Sequence, residues 1–432
     1  MSPRSPAFMM LFAVSLTAAA GNMALQSVLP AIGREFQLAD TLVAGAFALS
    51  ALLWTVTSPF WARLSDRLGR KRVILIGLTG FVLSMSGFGV AASLGLNGVL
   101  GAGVAFTLMA VARAFYGLFG SAAPIASQAY VADRTGPKTR TEAMSMLASA
   151  QGLGTVVGPA LAPFFVLPIV GLAGPMYAYA VLGLVVLLVV WRKLPSGDVT
   201  RKAAEAGQSP SGKGLWKDPR VRDFLLYGLL VTGAQAINIA VLGFHIIDEL
   251  AAEGQTSAAA AQPYIGVAML AGAAATLMVQ WGLIPALHLK PRELMRWGAV
   301  LALVGNALSV WGPGYYGVVV GYAVVSMGVG FARPGFTAGS SLAVTGREQG
   351  AIAGLIMSLA GLSFLAPPVI GVALYELAEP APFIANIVLL ALAVALAFLR
   401  PTLSADEPAA ATAPSAPGPA SQPGPEGSRP TR

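Results

Sequence analysis

Residues 62–72 read Ala62-Arg63-Leu64-Ser65-Asp66-Arg67-Leu68-Gly69-Arg70-Lys71-Arg72, six charges in eleven residues set between two long apolar runs. Each ion costs about 2.5–3.5 kcal/mol at a bilayer centre on insertion scales. The stretch is therefore read as a short turn at a membrane surface, joining two spanning segments.

Composition points the same way. Hydrophobic residues make up 56% of the chain and charged residues 11%, where a soluble domain carries about 25% charged. With 50 glycines and 30 prolines, this is the make-up of a polytopic membrane protein. The absence of cysteine rules out disulfides, thiolate metal sites and cysteine nucleophiles. Two histidines, His245 and His288, are too few for a multi-histidine metal centre. No enzyme, cofactor or metal is expected. The apolar run that starts at Pro6 is too long for a cleaved leader and is read as the first span.

Outward from the 62–72 turn, apolar runs of spanning length fall at 8–32, 41–62, 73–94, 104–131, 142–168 and 171–191. Six more follow at 223–248, 263–287, 294–312, 315–343, 348–375 and 381–399. With both termini cytoplasmic, 24 of the 27 Lys and Arg lie at cytoplasmic ends, loops or tails, as the positive-inside rule requires. Arg34 alone falls on the other side, and Arg113 and Arg333 fall within spans. The formal charge of +8 is thus a topology signal, and no nucleic acid partner is expected. The division is an N-terminal bundle 1–192, a basic cytoplasmic linker 193–222, a C-terminal bundle 223–400 and a Pro/Ala/Gly/Ser-rich tail 401–432 expected to be disordered. An internal repeat supports it. Gly120-x-x-x-Pro124 recurs 210 residues later as Gly330-x-x-x-Pro334, and Gly158-Pro159 recurs 208 residues later as Ala366-Pro367. Parallel halves around a midplane site are a transporter architecture.

The order Leu64-x-Asp66-Arg67-x-Gly69-Arg70-Lys71-Arg72 resembles the loop between the second and third helices of major facilitator superfamily transporters, with Ala62 where the pattern begins with Gly. The resemblance implies an all-α membrane protein of twelve transmembrane helices in two pseudo-symmetric six-helix bundles. It also implies a gating latch. Asp66 would meet the start of the eleventh helix, whose macrodipole favours an anion. Arg70, with Arg67 beside it, would reach Asp133 at the end of the fourth helix. Arg113-x-x-x-Gly117 matches the family's fourth-helix motif linked to proton coupling. Gly154-x-x-x-Gly158-Pro159 resembles the antiporter signature that bends the fifth helix, although Ala162-Pro163 replaces its closing Gly-Gly; close packing of small residues is the competing reading. Gly282 with Lys290-Pro291-Arg292, and Glu348-Gln349-Gly350, are also similar to the twelve-helix drug:proton antiporter branch, which includes tetracycline exporters.

The remaining candidates are intramembrane polar residues. Arg113, Gly117, Gly120, Pro124 and Ser127 share one helix face, so Arg113 should face a cavity or a partner. Gln235, Asn238, Leu242, His245 and Glu249 form a second stripe, with Asp248 alongside. Two carboxylates one turn away would favour a protonated His245, making His245 and Asp248 coupling candidates beside Arg113. The expected cavity residues are Asn22, Gln26, Gln151, Gln235, Asn238 and Arg333. None of the 19 acids falls mid-span, which argues against a purely cationic substrate. The expected function is a secondary transporter exporting a small amphipathic molecule across a bacterial inner membrane by alternating access, as a monomer coupled to protons. Import of a small organic anion by a facilitator or proton symporter is the alternative.

Overall fold

The computed structural model describes residues 5–135, 137–196, 214–254, 257–345 and 348–404. The apolar runs are helices. α1 (Pro6–Glu35) starts on Ser5, whose hydroxyl accepts the Phe8 N–H at 3.3 Å while Pro6 takes the first helical position, a start that leaves few orphan donors. α2 (Asp40–Leu68) and α3 (Arg70–Leu96) are separated by one residue, Gly69, at φ 92°. Only glycine takes that conformation without strain, which is how the opening turn reverses the chain so tightly.

α4 runs from Ala102 to Phe119 and resumes as Ala122–Arg134. α5 (Pro137–Leu161) and α6 (Gly174–Lys193) complete the first half. The second half comprises α7 (Pro219–Ala252), α8 (Gln262–Leu287, with a π-helical turn at Met278–Leu283), α9 (Pro291–Trp311) and α10 (Gly314–Leu342). α11 follows in two pieces, α11a (Gln349–Ser363) and α11b (Pro367–Leu377), and α12 (Ala381–Leu399) closes the fold. Eleven of these helices are long and apolar enough to cross a membrane among the described residues, and α5 occupies the place of the fifth span. The chain is a multi-pass membrane protein.

Helix ends place the charges. One end of the bundle carries the 62–72 turn, Asp133, Arg192, Arg220 and Arg292, and is called here the basic end. The opposite, acidic end carries Arg34 with Glu35, Asp40, Asp248, Glu249, Glu376 and Glu379. α1 and α7 are the most enclosed helices, with 67% and 72% of their spanning windows buried, because they sit where the halves meet. α1 contacts α7 and α8, α2 contacts α11b, and α5 contacts α8, whereas α11a packs on α7 and α10 of its own half. The halves are therefore joined toward the acidic end.

Two expectations change here. α7 begins at Pro219, inside the segment assigned to the 193–222 linker, most of which lies outside the described residues. The second half extends past 400: Pro401–Ser404 form a 3-10 turn, Leu403 is buried, and the Thr402 hydroxyl donates to Asp223 at 2.6 Å. The tail from 405 lies outside the described residues. α5 runs through Gly158-Pro159 to Leu161 as one helix. Its glycines serve contact with α1. A Cβ on Gly154 would stand 2.5 Å from the Leu16 carbonyl oxygen, and one on Gly158 would collide with the Ala20 backbone. Backbone-to-backbone approach, as the small-residue reading has it, is one thing this motif supplies. The paired site at Ala366-Pro367 does interrupt its helix, because Pro367 and Pro368 remove two successive N–H donors.

Replacing Gly154 by Val should destabilise the α1–α5 contact by about 1–3 kcal/mol, read as a lower unfolding midpoint in detergent. Gly152→Val, with nothing within 4 Å of its Cβ position, should leave the midpoint unchanged.

Candidate functional site

At the basic end, Arg70 opens α3 within reach of the ends of α2 and α4. Its guanidinium pairs with Asp66 at 2.5 Å and Asp133 at 2.9 Å, and donates to the Ser65 hydroxyl at 3.1 Å. Sequence reasoning brought Arg70 and Asp133 together correctly. Arg67 is exposed and stands outside the cluster. Asp66 is 64% exposed and pairs with Arg70 one turn away, where a contact with the eleventh helix was expected. At the start of that helix, Glu348 pairs instead with Arg220 at 3.2 Å, which also holds Asp218 at 2.7 Å. Each ion cluster closes within its own half, because the halves do not meet through α2 and α11a here.

In the centre, Arg113 is 3% exposed. Nη2 donates to the Asn22 side-chain oxygen at 2.5 Å, and the guanidinium carbon lies 4.7 Å from the Phe47 ring centroid and 5.0 Å from that of Tyr116. Nε and Nη1 have no hydrogen-bond partner among the described residues. A buried cation held by an amide and two ring faces is only partly compensated. One turn on from Asn22, Gln26 lines a small enclosed cavity of about 10 Å³ between the halves, with Phe47 on one wall and Ala240 and Phe244 on the other. That is room for about one water.

Arg333 is placed differently. α10 packs on α7, α8, α9 and α11a, and its Arg333 and Thr337 are exposed. The Arg333 guanidinium makes no ion pair among the described residues. Gln151 and Gln235 are half-buried. Of the predicted cavity residues, Gln26 is buried, and the half-buried Asn22 bonds the buried Arg113.

The α7 stripe is corrected. Asn238 is 4% exposed and turns into the second bundle, where its side-chain oxygen accepts from Asn386 of α12 at 3.0 Å. The same Asn386 amide donates to the Ala234 carbonyl at 3.2 Å and to Asn306 of α9 at 3.4 Å. Asn386 therefore joins α12 to α7 and α9, and Asn238 faces it inside the second bundle. His245, on the same face, packs against Phe383 of α12 with ring centroids 4.9 Å apart. Of the two carboxylates expected beside it, Glu249 comes within 4.0 Å, and Asp248 acts on it from farther away. Asp248 is committed to other partners.

Those partners form a site that the sequence reading missed. Arg34, at the end of α1, holds Asp40 of α2 through two hydrogen bonds of 2.9 and 2.7 Å, and reaches across the halves to Asp248 of α7 at 2.9 Å. The Tyr375 hydroxyl donates to the same Asp248 oxygen at 2.7 Å. Beside this, the Thr41 N–H donates to Glu376 of α11b at 2.9 Å, and its hydroxyl donates to the same carboxylate. Arg34, Asp40, Asp248, Tyr375, Glu376 and Glu379 line a vestibule of about 840 Å³. The signal was available: Arg34 is the one base on the side where the charge asymmetry allows none.

Comparison with known proteins agrees with this architecture. A family model described as Major Facilitator Superfamily matches residues 11–290. Multidrug resistance protein 1 of Bacillus subtilis (strain 168) is 30% identical over 137 residues, 32% of each chain. Tetracycline resistance protein, class B, of Escherichia coli is 28% identical over 187 residues, 41% of each chain. The chain thus spans a third to two-fifths of the length of these relatives. The class G tetracycline resistance protein of Vibrio anguillarum is 25% identical over 386 residues, 86% of this chain and 91% of the relative. Among solved structures, the human organic anion transporter MFSD10 (TETRAN) shares the fold at TM-score 0.60 and 20% identity, over 91% of this chain and 100% of that one. A bacterial homolog to the human lysosomal transporter Spinster does so at TM-score 0.68 and 15% identity, over 94% and 98%.

Asn386→Ala should leave Asn238 and Asn306 without their shared donor, at a cost of about 1–3 kcal/mol. A lower thermal midpoint with unchanged transport per folded molecule is the expected outcome. Unchanged stability with impaired transport would return Asn238 to the cavity wall.

Proposed function

The chain belongs to the major facilitator superfamily, a family of transporters and not of enzymes, and on that premise we propose that it exports a small amphipathic molecule by proton-driven antiport. The proposed setting is a bacterial inner membrane, with the basic end and both termini cytoplasmic, as the positive-inside rule favours. The proposed unit is a monomer of two six-helix halves, 1–192 and 223–400 with the boundary shifts described above.

The observation that carries this reading is that the halves are tied at the acidic end by Arg34–Asp248 and the α2–α11b contact, while α11a packs on α7 and α10 of its own half. A bundle whose halves are tied together at one end is one half of an alternating-access cycle. Substrate would enter from the cytoplasm along Arg333, Gln151 and Gln235. The halves would then rock about their α1–α7 and α5–α8 contacts, bringing α2 against α11a, closing the basic end and opening the vestibule. In that closed form Asp66 would meet the start of α11a, and Arg70–Asp133 would hold α3 to α4 while it does so.

Charge narrows the substrate. Among the described residues every carboxylate lies within two turns of a helix end, whereas Arg113 and Arg333 stand deeper. The field between the halves is positive, which suits a neutral, zwitterionic or anionic polar group on an apolar body. The efflux relatives support export. The cationic character of Arg333 favours the second reading, uptake or facilitated passage of a small organic anion. Arg113 fits a role inside the first half, where its uncompensated charge is sensitive to any rearrangement of Asn22 and Phe47.

In proteoliposomes, substrate movement should follow an imposed pH gradient and run against its own concentration gradient; transport indifferent to the pH gradient would rule out antiport. Arg113→Ala should abolish transport with membrane insertion intact. Arg333→Gln should lower the apparent affinity for anionic substrates by about tenfold, one charged hydrogen bond being worth roughly 1.5–3 kcal/mol, and leave neutral substrates unaffected.

A further inference from the structure

We propose that His245 is a proton-binding site reached from the acidic-end vestibule, and that a proton bound there releases the Arg34–Asp248 tie between the halves. The proposal rests on the antiport reading above, and supplies it with the titrating group that the absent mid-span carboxylate leaves open.

His245 is 6% exposed, and neither ring nitrogen has a hydrogen-bond partner among the described residues. Such a group is satisfied neither by protein nor by bulk water, which makes it a receptor for whatever reaches it. Around the ring, α7 presents Glu249 at 4.0 Å and, one residue before it, Asp248. α11b presents Tyr375, with ring centroids 6.1 Å apart, and the turn after it presents Glu379. α12 contributes the uncharged Phe383, and the Ser309 backbone of α9 faces the ring. α1 and α2 contribute Arg34 and Asp40 beyond Asp248. Tyr375, Asp248 and Glu379 line the open vestibule, so the ring lies one side chain behind a wetted surface.

The link to the gate is Tyr375. Its ring faces His245, and its hydroxyl donates to the same Asp248 oxygen that receives Arg34. With a neutral imidazole, Arg34 is the cation shared by Asp40 and Asp248. A proton on His245 creates a second cation inside the second half, next to Glu249 and Asp248. Asp248 then has a counter-ion in its own half, while Arg34 keeps its two-bond pairing with Asp40 in the other. The contact made redundant is the one hydrogen bond that Arg34 makes across the halves, beside which Thr41–Glu376 is the remaining polar tie at this end. Protons on the acidic side would thus favour opening toward that side. The basic end does not share this sensitivity through Asp218 and Glu348: the Arg220 side chain holds the Asp218 carboxyl, and the Thr345 N–H holds that of Glu348, below the usual carboxylate range.

The chain has no cysteine, so Ala39→Cys and Ala378→Cys, on opposite walls of the vestibule, give a unique pair of spin-label sites. Inter-label distance is measured by electron spin resonance in nanodiscs at about pH 8 and about pH 5.5, the interval over which an imidazole titrates. The expected result is a shift toward longer distances at the lower pH, abolished in His245→Gln. Asp248→Asn should give the long distance at both pH values, independently of whether His245→Gln folds. A full pH response in His245→Gln, or a closed vestibule in Asp248→Asn, would overturn the proposal. No substrate enters this measurement. A distance response without proton-driven transport would leave the gate standing and remove antiport, and proton-driven transport without the response would do the reverse.

Discussion

A guanidinium inside a helix bundle in a membrane must find a counter-charge, a ring face or water, and the way this chain meets that demand organises the whole structure. Four arginines meet it in four ways. Arg70 takes two carboxylates of its own half. Arg34 takes two carboxylates from different halves. Arg113 has one amide and two aromatic faces. Arg333 has only the space beside α10. Where the partner lies on the other half, the bundle is joined; where it lies on the same half, the bundle is free to part. The acidic end is closed and the basic end is divided for that reason, with helix packing following the charges.

Much of this was legible in the sequence. Spanning length, Gly/Pro spacing and one-sided basic charge located twelve helices, and most observed ends fall within a few residues of the expected ones. The Arg70–Asp133 contact was also legible, since both residues sit at helix ends that a one-glycine turn brings together. Helix faces were less so. A polar stripe at 3–4 spacing says that one side of α7 is polar, but not whether it faces a cavity or another helix. Asn238 faces another helix because its partner, Asn386, lies 148 residues away, beyond any local pattern. The Asp66 expectation failed for a different reason: that contact needs the halves to meet at the basic end, and sequence does not specify which state of a moving protein is observed.

Arg34 is the instructive omission. The charge asymmetry that fixed the reading also marked the one residue violating it, and a lone base among seven acids, Glu35, Asp40, Asp248, Glu249, Glu253, Glu376 and Glu379, is a poor topology signal but a good ion-pair hub. Exceptions to a charge rule in a membrane protein are costly enough that each is better treated as a candidate contact than as noise.

The two halves share a repeat and have resolved it unequally. The first half interrupts α4 near Gly120 and keeps α5 intact through Pro159; the second keeps α10 intact through Pro334 and interrupts α11 before Pro367. Their polar interiors differ as well. The first buries a cation beside one amide, and the second buries three asparagines and an unbonded histidine. A permanent charge such as Arg113 cannot be switched by pH in the physiological range, whereas an imidazole can. The unequal halves therefore divide the labour that a mid-span carboxylate would otherwise combine. A fixed positive charge in one half biases what can be carried, and a titratable group in the other, adjoining the only bond of Arg34 that crosses between them, biases when the acidic end opens.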